Sequence, residues 1–275
     1  MAYTLNGTNF TVYGVYPGKI PGSNVAAKGM FNLPERIGKT FHSWGELDGI
    51  EPYVDATEIF FGGRDIIFTG NIFGSNAEIY GGLKTLSDDV AAVTGTRVFA
   101  TDFGNYNVVV KDMKTRLHKG AATVEFIMRE PVVDLTGGSL PGTGSNANTI
   151  DSIPMSSFGL YTSEKAGMTD VPAYKEAKPT LDGAEGFFHT GRAAGTFSLE
   201  AVLIGSTLSD FQSKVRALYL LFSSSGERQV KLNDEVYITC FADKGFKISD
   251  LHYSASVVAK FKIELMITNY SLTGF

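Results

Sequence analysis

The chain has 275 residues, 43% hydrophobic and 12% aromatic, with 31 glycines and a formal net charge of −5. That length holds one large domain or two of ordinary size, with enough apolar material for a packed core. A net-acidic chain lacks the clustered basic surface that nucleic acid or an anionic membrane demands. Its single cysteine, Cys240, excludes an intrachain disulfide framework. No run approaches the length of a membrane span, and the start of the chain has no basic segment followed by an apolar one. The expectation is synthesis and folding in a cytoplasm.

The first strand is expected at Phe10 to Val15, followed by a Gly-, Pro-, Asn- and Ser-rich loop over 16–30. Residues 31–55 have no steady period, and Trp44 and Tyr53 are placed to pin that irregular stretch against a sheet. Thr57 to Phe61 reads as a strand, Gly62-Gly63 as a turn, and Asp65 to Phe73 as a strand buried on both faces. A helix is expected to begin at Thr85 or Ser87, with Asp88 and Asp89 at the positive end of its dipole and Gly95 ending it. Asn107 to Lys111 is a further strand. Ala122 to Arg129 alternates strictly, with Ala122, Val124, Phe126 and Met128 on one face.

Residues 135–150 are a Gly/Ser/Pro/Asn linker with no pattern for packing. The expected organisation is one module over 1–134 and a second over 151–275. In the second, Phe158 to Thr162 matches Phe10 to Val15, and Gly195 to Ile204 is a strand. A longer helix runs from Leu208 to Phe222, with Thr207 and Asp210 as a capping-box variant. Val230 to Leu232 and Glu235 to Phe241 form a hairpin around Asn233-Asp234, and Ala259 to Ile267 closes the module by alternation.

Thr85-Leu86-Ser87-Asp88 returns as Thr207-Leu208-Ser209-Asp210, each with an upstream Gly-Arg pair, Gly63-Arg64 and Gly191-Arg192. The helix starts are thereby spaced 207 − 85 = 122 residues apart. The closing strands, matched as Val124-Glu125-Phe126 with Ile263-Glu264-Leu265, are 263 − 124 = 139 apart. The difference assigns extra residues to the second helix and its following hairpin. The fold class is therefore mainly β: two tandem β-sandwich or small-barrel modules, each flanked by one α-helix.

Residues for chemistry are sparse. His42, His118, His189 and His252 lie in separate segments at no metal-ligand spacing. Cys240 sits mid-strand and reads as a small buried residue. Glu46, Asp48, Glu51, Asp55 and Glu58 are the densest carboxylates, without the pattern of a calcium loop. Arg64 and Asp65 are adjacent and read as a local ion pair. No catalytic, cofactor-binding or metal-binding residue is expected, and no cofactor.

Phe10 to Val15, Leu33-Pro34-Glu35-Arg36-Ile37-Gly38, Trp44 and the Gly63-Arg64-Asp65 turn into a strand resemble the start of distal tail proteins of tailed bacteriophages. More broadly they are similar to the tail-tube fold. The likeness covers 1–134 directly and 152–275 through the internal repeat. It implies a structural, non-enzymatic virion protein of the tail tube, distal tail or baseplate hub that forms a ring around a DNA-conducting channel. A trimer with pseudo-sixfold symmetry is favoured, with a hexamer second. Implied partners are adjacent tail tube, hub or tape-measure proteins, with DNA only in transit and no membrane insertion. The place of action would be the virion tail, after synthesis in the bacterial host cytoplasm. Under this resemblance Glu125 and Glu264, taken as equivalent, are the candidate lumen-facing residues. Two alternatives stay open: a β-sandwich adsorption protein gripping cell-surface sugar, with Trp44 and Tyr53 as the platform, and a hydrolase on a β scaffold.

Overall fold

The computed structural model describes the chain except residues 39, 43–49, 53–56, 58, 163–166, 170–171, 177–186, 193–194, 235 and 273–275. It opens with a hairpin, β1 (Thr4–Leu5) and β2 (Thr8–Asn9). Asn6 and Gly7 turn it with φ of 48° and 79°, the left-handed values a two-residue hairpin loop requires. Phe10 to Val15 is not the expected strand. The Asn9 side chain accepts from the Thr11 amide and starts a 3₁₀ turn, Phe10–Tyr13, which Gly14 ends at φ 73°. Only then does β3 (Val15–Pro17) begin.

An arm follows, holding β4 (Ala27–Lys28) and β5 (Arg36–Ile37), then β6 (Phe41–His42), β7 (Glu51–Pro52) and β8 (Phe60–Phe61). β5 pairs with β8, and β6 with β7. Next come β9 (Arg64–Phe73), α1 (Asn76–Ala91), β10 (Arg97–Thr101), β11 (Gly104–His118) and β12 (Ala121–Glu130). They form an antiparallel sheet in the order β2-β1-β10-β11-β12-β9-β3, with β4 also on β9. β9 buries one face, not two: Ile66, Phe68, Gly70 and Ile72 are buried, and Asp65, Ile67, Thr69 and Asn71 on the other face are half-buried.

The second module comprises β13 (Thr149–Ile150), β14 (Ile153–Pro154), a 3₁₀ turn at Met155–Phe158, β15 (Leu160–Tyr161) and β16 (Gly167–Thr169). β17 (Pro172–Glu176), β18 (Phe187–Arg192), β19 (Thr196–Gly205) and α2 (Leu208–Ser223) follow. The chain closes with β20 (Arg228–Leu232), β21 (Val236–Phe241), β22 (Phe246–Tyr253) and β23 (Val257–Leu272). The sheet order is β14-β13-β20-β21-β23-β19-β15, with β16 on β19 and β22 on β23. Position by position this is the first sheet again. The single long β11 is replaced by β21 and β22, which share β23 as partner. The protein is thus two tandem curled antiparallel modules, each with one helix.

The duplication is real, but the tetrapeptide does not mark it. α1 starts ten or twelve positions earlier than the expected Thr85 or Ser87, at Ser75, whose side chain accepts from the Glu78 amide while the Glu78 carboxylate accepts from the Ser75 amide. Thr85 lies inside that helix and donates back to the Gly81 carbonyl. Thr207 caps α2, as expected. Both helices have 16 residues, so the second is not longer. Their buried faces match Ile79, Leu83, Leu86 and Val90 with Phe211, Val215, Leu218 and Phe222, at 211 − 79 = 132.

Strand register gives a companion offset. Val15 faces Ile72 and Leu160 faces Leu203, so β9 and β19 differ by 203 − 72 = 131. Ile72 then faces Ala122 and Leu203 faces Ala259, which puts the closing strands at 259 − 122 = 137 rather than 139. The Gly191-Arg192 pair ends β18 instead of opening β19, so it is no counterpart of Gly63-Arg64.

Residues 135–150 are laid on the second module, contrary to the expectation of nothing that packs. Leu135 touches the core. The Gly144 amide donates to the Ser152 carbonyl at 2.9 Å, and the Asn233 amide donates to Asn148 Oδ1 at 2.9 Å.

The modules share one continuous core. The arm of the first runs along the outer edge of β22. The Asn24 amide donates to the Leu251 carbonyl at 3.2 Å, and Ser23 Oγ donates to the same oxygen at 2.6 Å. Asn24 also accepts from the Tyr253 amide and donates to the Tyr253 carbonyl, both at 2.8 Å. Further along, the Ile248 amide donates to Asn32 Oδ1 at 2.8 Å and the Leu33 amide to the Phe246 carbonyl at 3.0 Å. Gly245 sits under Leu33 so closely that a Cβ there would strike the Leu33 carbonyl. Aromatic contacts finish the joint: Phe31 meets Phe103 and Phe211 edge-on, and Phe103 meets Tyr253.

Ser75→Ala removes the cap of α1 and is expected to lower stability by about 1 kcal/mol. Thr85→Ala removes only a back-bond inside the helix and is expected to change it by less than about 0.5 kcal/mol. Urea denaturation of the two variants measures both. Equal losses would contradict the placement of the helix start.

Candidate assembly surface

Arg64, at the start of β9, turns inward, and Asp65, its neighbour, turns outward, because successive strand residues take opposite faces. They are therefore not paired with each other. Arg64 Nε donates to Glu130 Oε2 at 2.6 Å, from the adjacent strand β12. Its Nη1 donates to the Asn32 carbonyl at 3.1 Å and to Tyr219 Oη on α2 at 2.7 Å. The guanidinium also lies 5.5 Å from the centre of the Tyr106 ring. Both members of the ion pair are only 7% exposed. Burial pushes the Glu130 carboxyl up, and Arg64 opposes that shift. Burial also raises the Tyr219 and Tyr106 hydroxyls. One side chain thus ties the first sheet, the arm and the second module's helix together. Asp65 instead accepts from Arg129 at 3.0 Å and from Lys111 at 3.4 Å.

Arg36 is the arm's other anchor. Its Nη2 donates to the carbonyls of Phe222 and Ser224 at the end of α2, where a cation suits the helix dipole. Its guanidinium packs 4.8 Å from the Phe241 ring centre, while Nε and Nη1 are buried without partners. Burial lowers its pKa to about 10, with Arg228 acting in the same direction. α1 ends under a similar device from its own module: Arg97 Nη2 donates to Asp89 and Val90 carbonyls. Arg97 and Arg228 sit at equivalent positions, each two residues after a glycine, Gly95 and Gly226. That Gly-x-Arg spacing, recurring at 228 − 97 = 131, is the legible repeat signal that the tetrapeptide obscured.

Glu125 lies on β12 between Thr69 and Lys114, and Glu264 on β23 beside Ser198. Both occupy the side of their sheet opposite the core residues. They are not register equivalents. The 137-residue offset matches Glu125 with Lys262 and Glu264 with Ile127, one pleat apart. The second module's outward face is mixed in sign: Lys262 pairs with Glu200 at 2.6 Å, Lys260 with Asp250 at 2.7 Å and Lys244 with Glu264 at 3.7 Å.

The two β11-type edges differ sharply. The edge of β22 is covered by the arm, and Leu251 is 6% exposed. In β11, Val109 to His118 pairs only with β12, and its other edge meets no backbone partner among the described residues. Leu117, on the corresponding inner face, is 54% exposed.

The residues with reactive side chains are dispersed. Among the described residues no group of three His, Cys, Asp or Glu side chains is arranged to hold a metal ion. His118 ends β11 and His252 lies in β22. Cys240 is buried, its thiol pushed up to about 12 by that burial, and it contacts the Arg228 carbonyl. Trp44 and Tyr53, and Glu46, Asp48, Asp55 and Glu58 of the carboxylate group, lie outside the described residues. A cleft of about 300 Å³ beside the arm separates Met30 and Phe31 from Ile248 and Leu251.

No family model matches the chain, and no curated protein matches it. Among solved structures it is similar to the Dit protein (gp 19.1) of SPP1, described as a paradigm of the hub adsorption apparatus in phages infecting Gram-positive hosts. Identity is 12% and the TM-score 0.38, over 96% of this chain and 98% of that one. A much weaker likeness is to apo MrkH of K. pneumoniae, 9% identical with a TM-score of 0.13, over 89% and 81% of the two chains.

Arg64→Met leaves Glu130 buried without its cation and is expected to destabilise the fold by about 3–5 kcal/mol. Tyr219→Phe removes one hydrogen bond to a charged donor, an expected cost of about 1.5–3 kcal/mol. Denaturant midpoints of the two variants measure these losses. An unaffected Arg64→Met protein would show that the cluster does not clamp the modules.

Proposed function

We propose that the chain is a structural protein of a bacteriophage tail, at the distal tail, baseplate hub or tube, and that it assembles with itself into a ring. The observation that carries this reading is the duplication of one sheet topology within a chain, joined side by side through a strand edge. A repeated unit whose neighbour contact is already built once closes a ring when the same contact recurs between chains with a rotation that closes. The sequence resemblance to distal tail proteins supports the same role. Modules 1–134 and 151–275, the second completed by β13 at the end of the joining segment 135–150, each fill one ring position, so three chains give pseudo-sixfold symmetry. A hexamer, with the second module outside the ring, is the rival arrangement.

The work of such a protein is mechanical, with no reaction and no cofactor. Adjacent tail proteins stack on the ring, and DNA passes through it. Glu125 and Glu264 are proposed on the channel side because they lie on the outward faces of the two central strands. On the second module's part of that face, neutralised pairs such as Lys262–Glu200 weaken the grip on phosphate, since each free cation strengthens binding to DNA. The site of action is the virion tail after synthesis in a host cytoplasm.

Native mass measurement and negative-stain imaging of the purified full chain test this. The expected result is a closed particle of three chains with a central hole and six similar lobes. A chain that stays monomeric at every attainable concentration overturns the reading.

A further inference from the structure

We propose that the outer edge of β11, Val109 to His118, which no backbone among the described residues pairs, is the docking strand for a second copy of this chain, whose second module lies along it as the arm of the first module lies along β22. This rests on the ring reading above and names the surface that closes it.

The template for the contact is inside the molecule. β22 is the topological counterpart of the outer half of β11: Phe246 faces Ile263 and Ile248 faces Phe261, as Met113 faces Phe126 and Thr115 faces Val124. In the second module that edge is closed by Ser23, Asn24, Asn32 and Leu33 of the preceding module. We assign the place before the first module to the second module of a second copy. Its counterpart of the arm enters the sheet through β16 on β19, as the arm enters through β4 on β9. The apolar side agrees: Leu117 is exposed where Leu251 is covered. A long exposed strand edge is a template for pairing unless something covers it.

Charge selects the geometry. The edge carries Lys111, Lys114 and Arg116, with Lys119 in the turn beyond, against the single Asp112. The chain as a whole is −5. Two β11 edges brought together would place like charges opposite one another, which disfavours a symmetric dimer through this strand. The remainder of a second copy is net acidic, so a head-to-tail contact is the favoured one, and a head-to-tail contact closes into a ring where its rotation closes.

Amide hydrogen exchange of the full chain, assembled and diluted to monomers, tests the assignment. The expected result is slowed exchange over 109–118 on assembly, with 246–253 already slow in the monomer. Arg116→Glu with Lys119→Glu is expected to weaken assembly at least about tenfold while leaving the melting temperature of the diluted monomer unchanged, both side chains being exposed and neither facing a carboxylate across the ladder. Rings whose 109–118 amides exchange as fast as in the monomer overturn this edge and leave the ring reading standing. So does a double variant that assembles like the parent. A chain that never assembles overturns both.

Discussion

Each sheet here has a long strand whose outer edge exposes a row of backbone donors and acceptors, and that edge must be satisfied. In the second module the solution is covalently built in. The arm of the first module turns its amide groups and the side chains of Ser23, Asn24 and Asn32 onto β22. The arm cannot do this from an independent domain. It is held between its own sheet, through β4 on β9, and the second module's helix, through Arg36 at the end of α2. Pairing that edge therefore requires the two modules to be one body.

Arg64 enforces the same arrangement from the side of the core. A buried ion pair gains little over a well-packed apolar substitute, but it is intolerant of misplacement. Arg64 has its partners in three places: Glu130 in its own sheet, the Asn32 carbonyl in the arm and Tyr219 in the other module. Any displacement of the second module strands part of that hydrogen-bonding capacity in a dry interior. The difference between the helices follows. α2, between its own sheet and the first module, buries Ala217, Tyr219 and Leu221 in addition to its sheet-facing stripe. α1 has Thr85, Ser87 and Asp89 at those positions, and among its residues only Ile79 and Leu86 are buried. The sequence of each helix records whether a neighbour lies against it within the chain.

How much of this was legible follows from which forces act locally. Strict alternation in Ala122 to Arg129 and Ala259 to Ile267 marked the two central strands, because one face of each meets only core. Thr207 was found as a cap because its whole motif is local. Ser75 is not legible as the cap of α1 because Asn76 to Ile79 offers little apolar periodicity. Tyr13 and Phe158 each precede a glycine in left-handed conformation, which ends a 3₁₀ turn where the sequence reads as a strand, and Phe158 thus corresponds to Tyr13 and not to Phe10. β22 was not anticipated, since its bulge between Ser249 and His252 breaks the alternation. The partners of Arg64 lie 66 and 155 residues away, so adjacency suggested Asp65 and topology chose Glu130 and Tyr219. Whether Glu125 and Glu264 correspond depended on register, and only the ladders showed them one pleat apart.

The central claim is that the modules are a single cooperative unit clamped by the arm and by Arg64. Differential scanning calorimetry of the monomeric chain addresses it most directly. The account predicts one transition whose calorimetric and van't Hoff enthalpies agree. Two resolved transitions, or a calorimetric enthalpy about twice the van't Hoff value, would mean that the modules melt independently, and the clamp would be refuted.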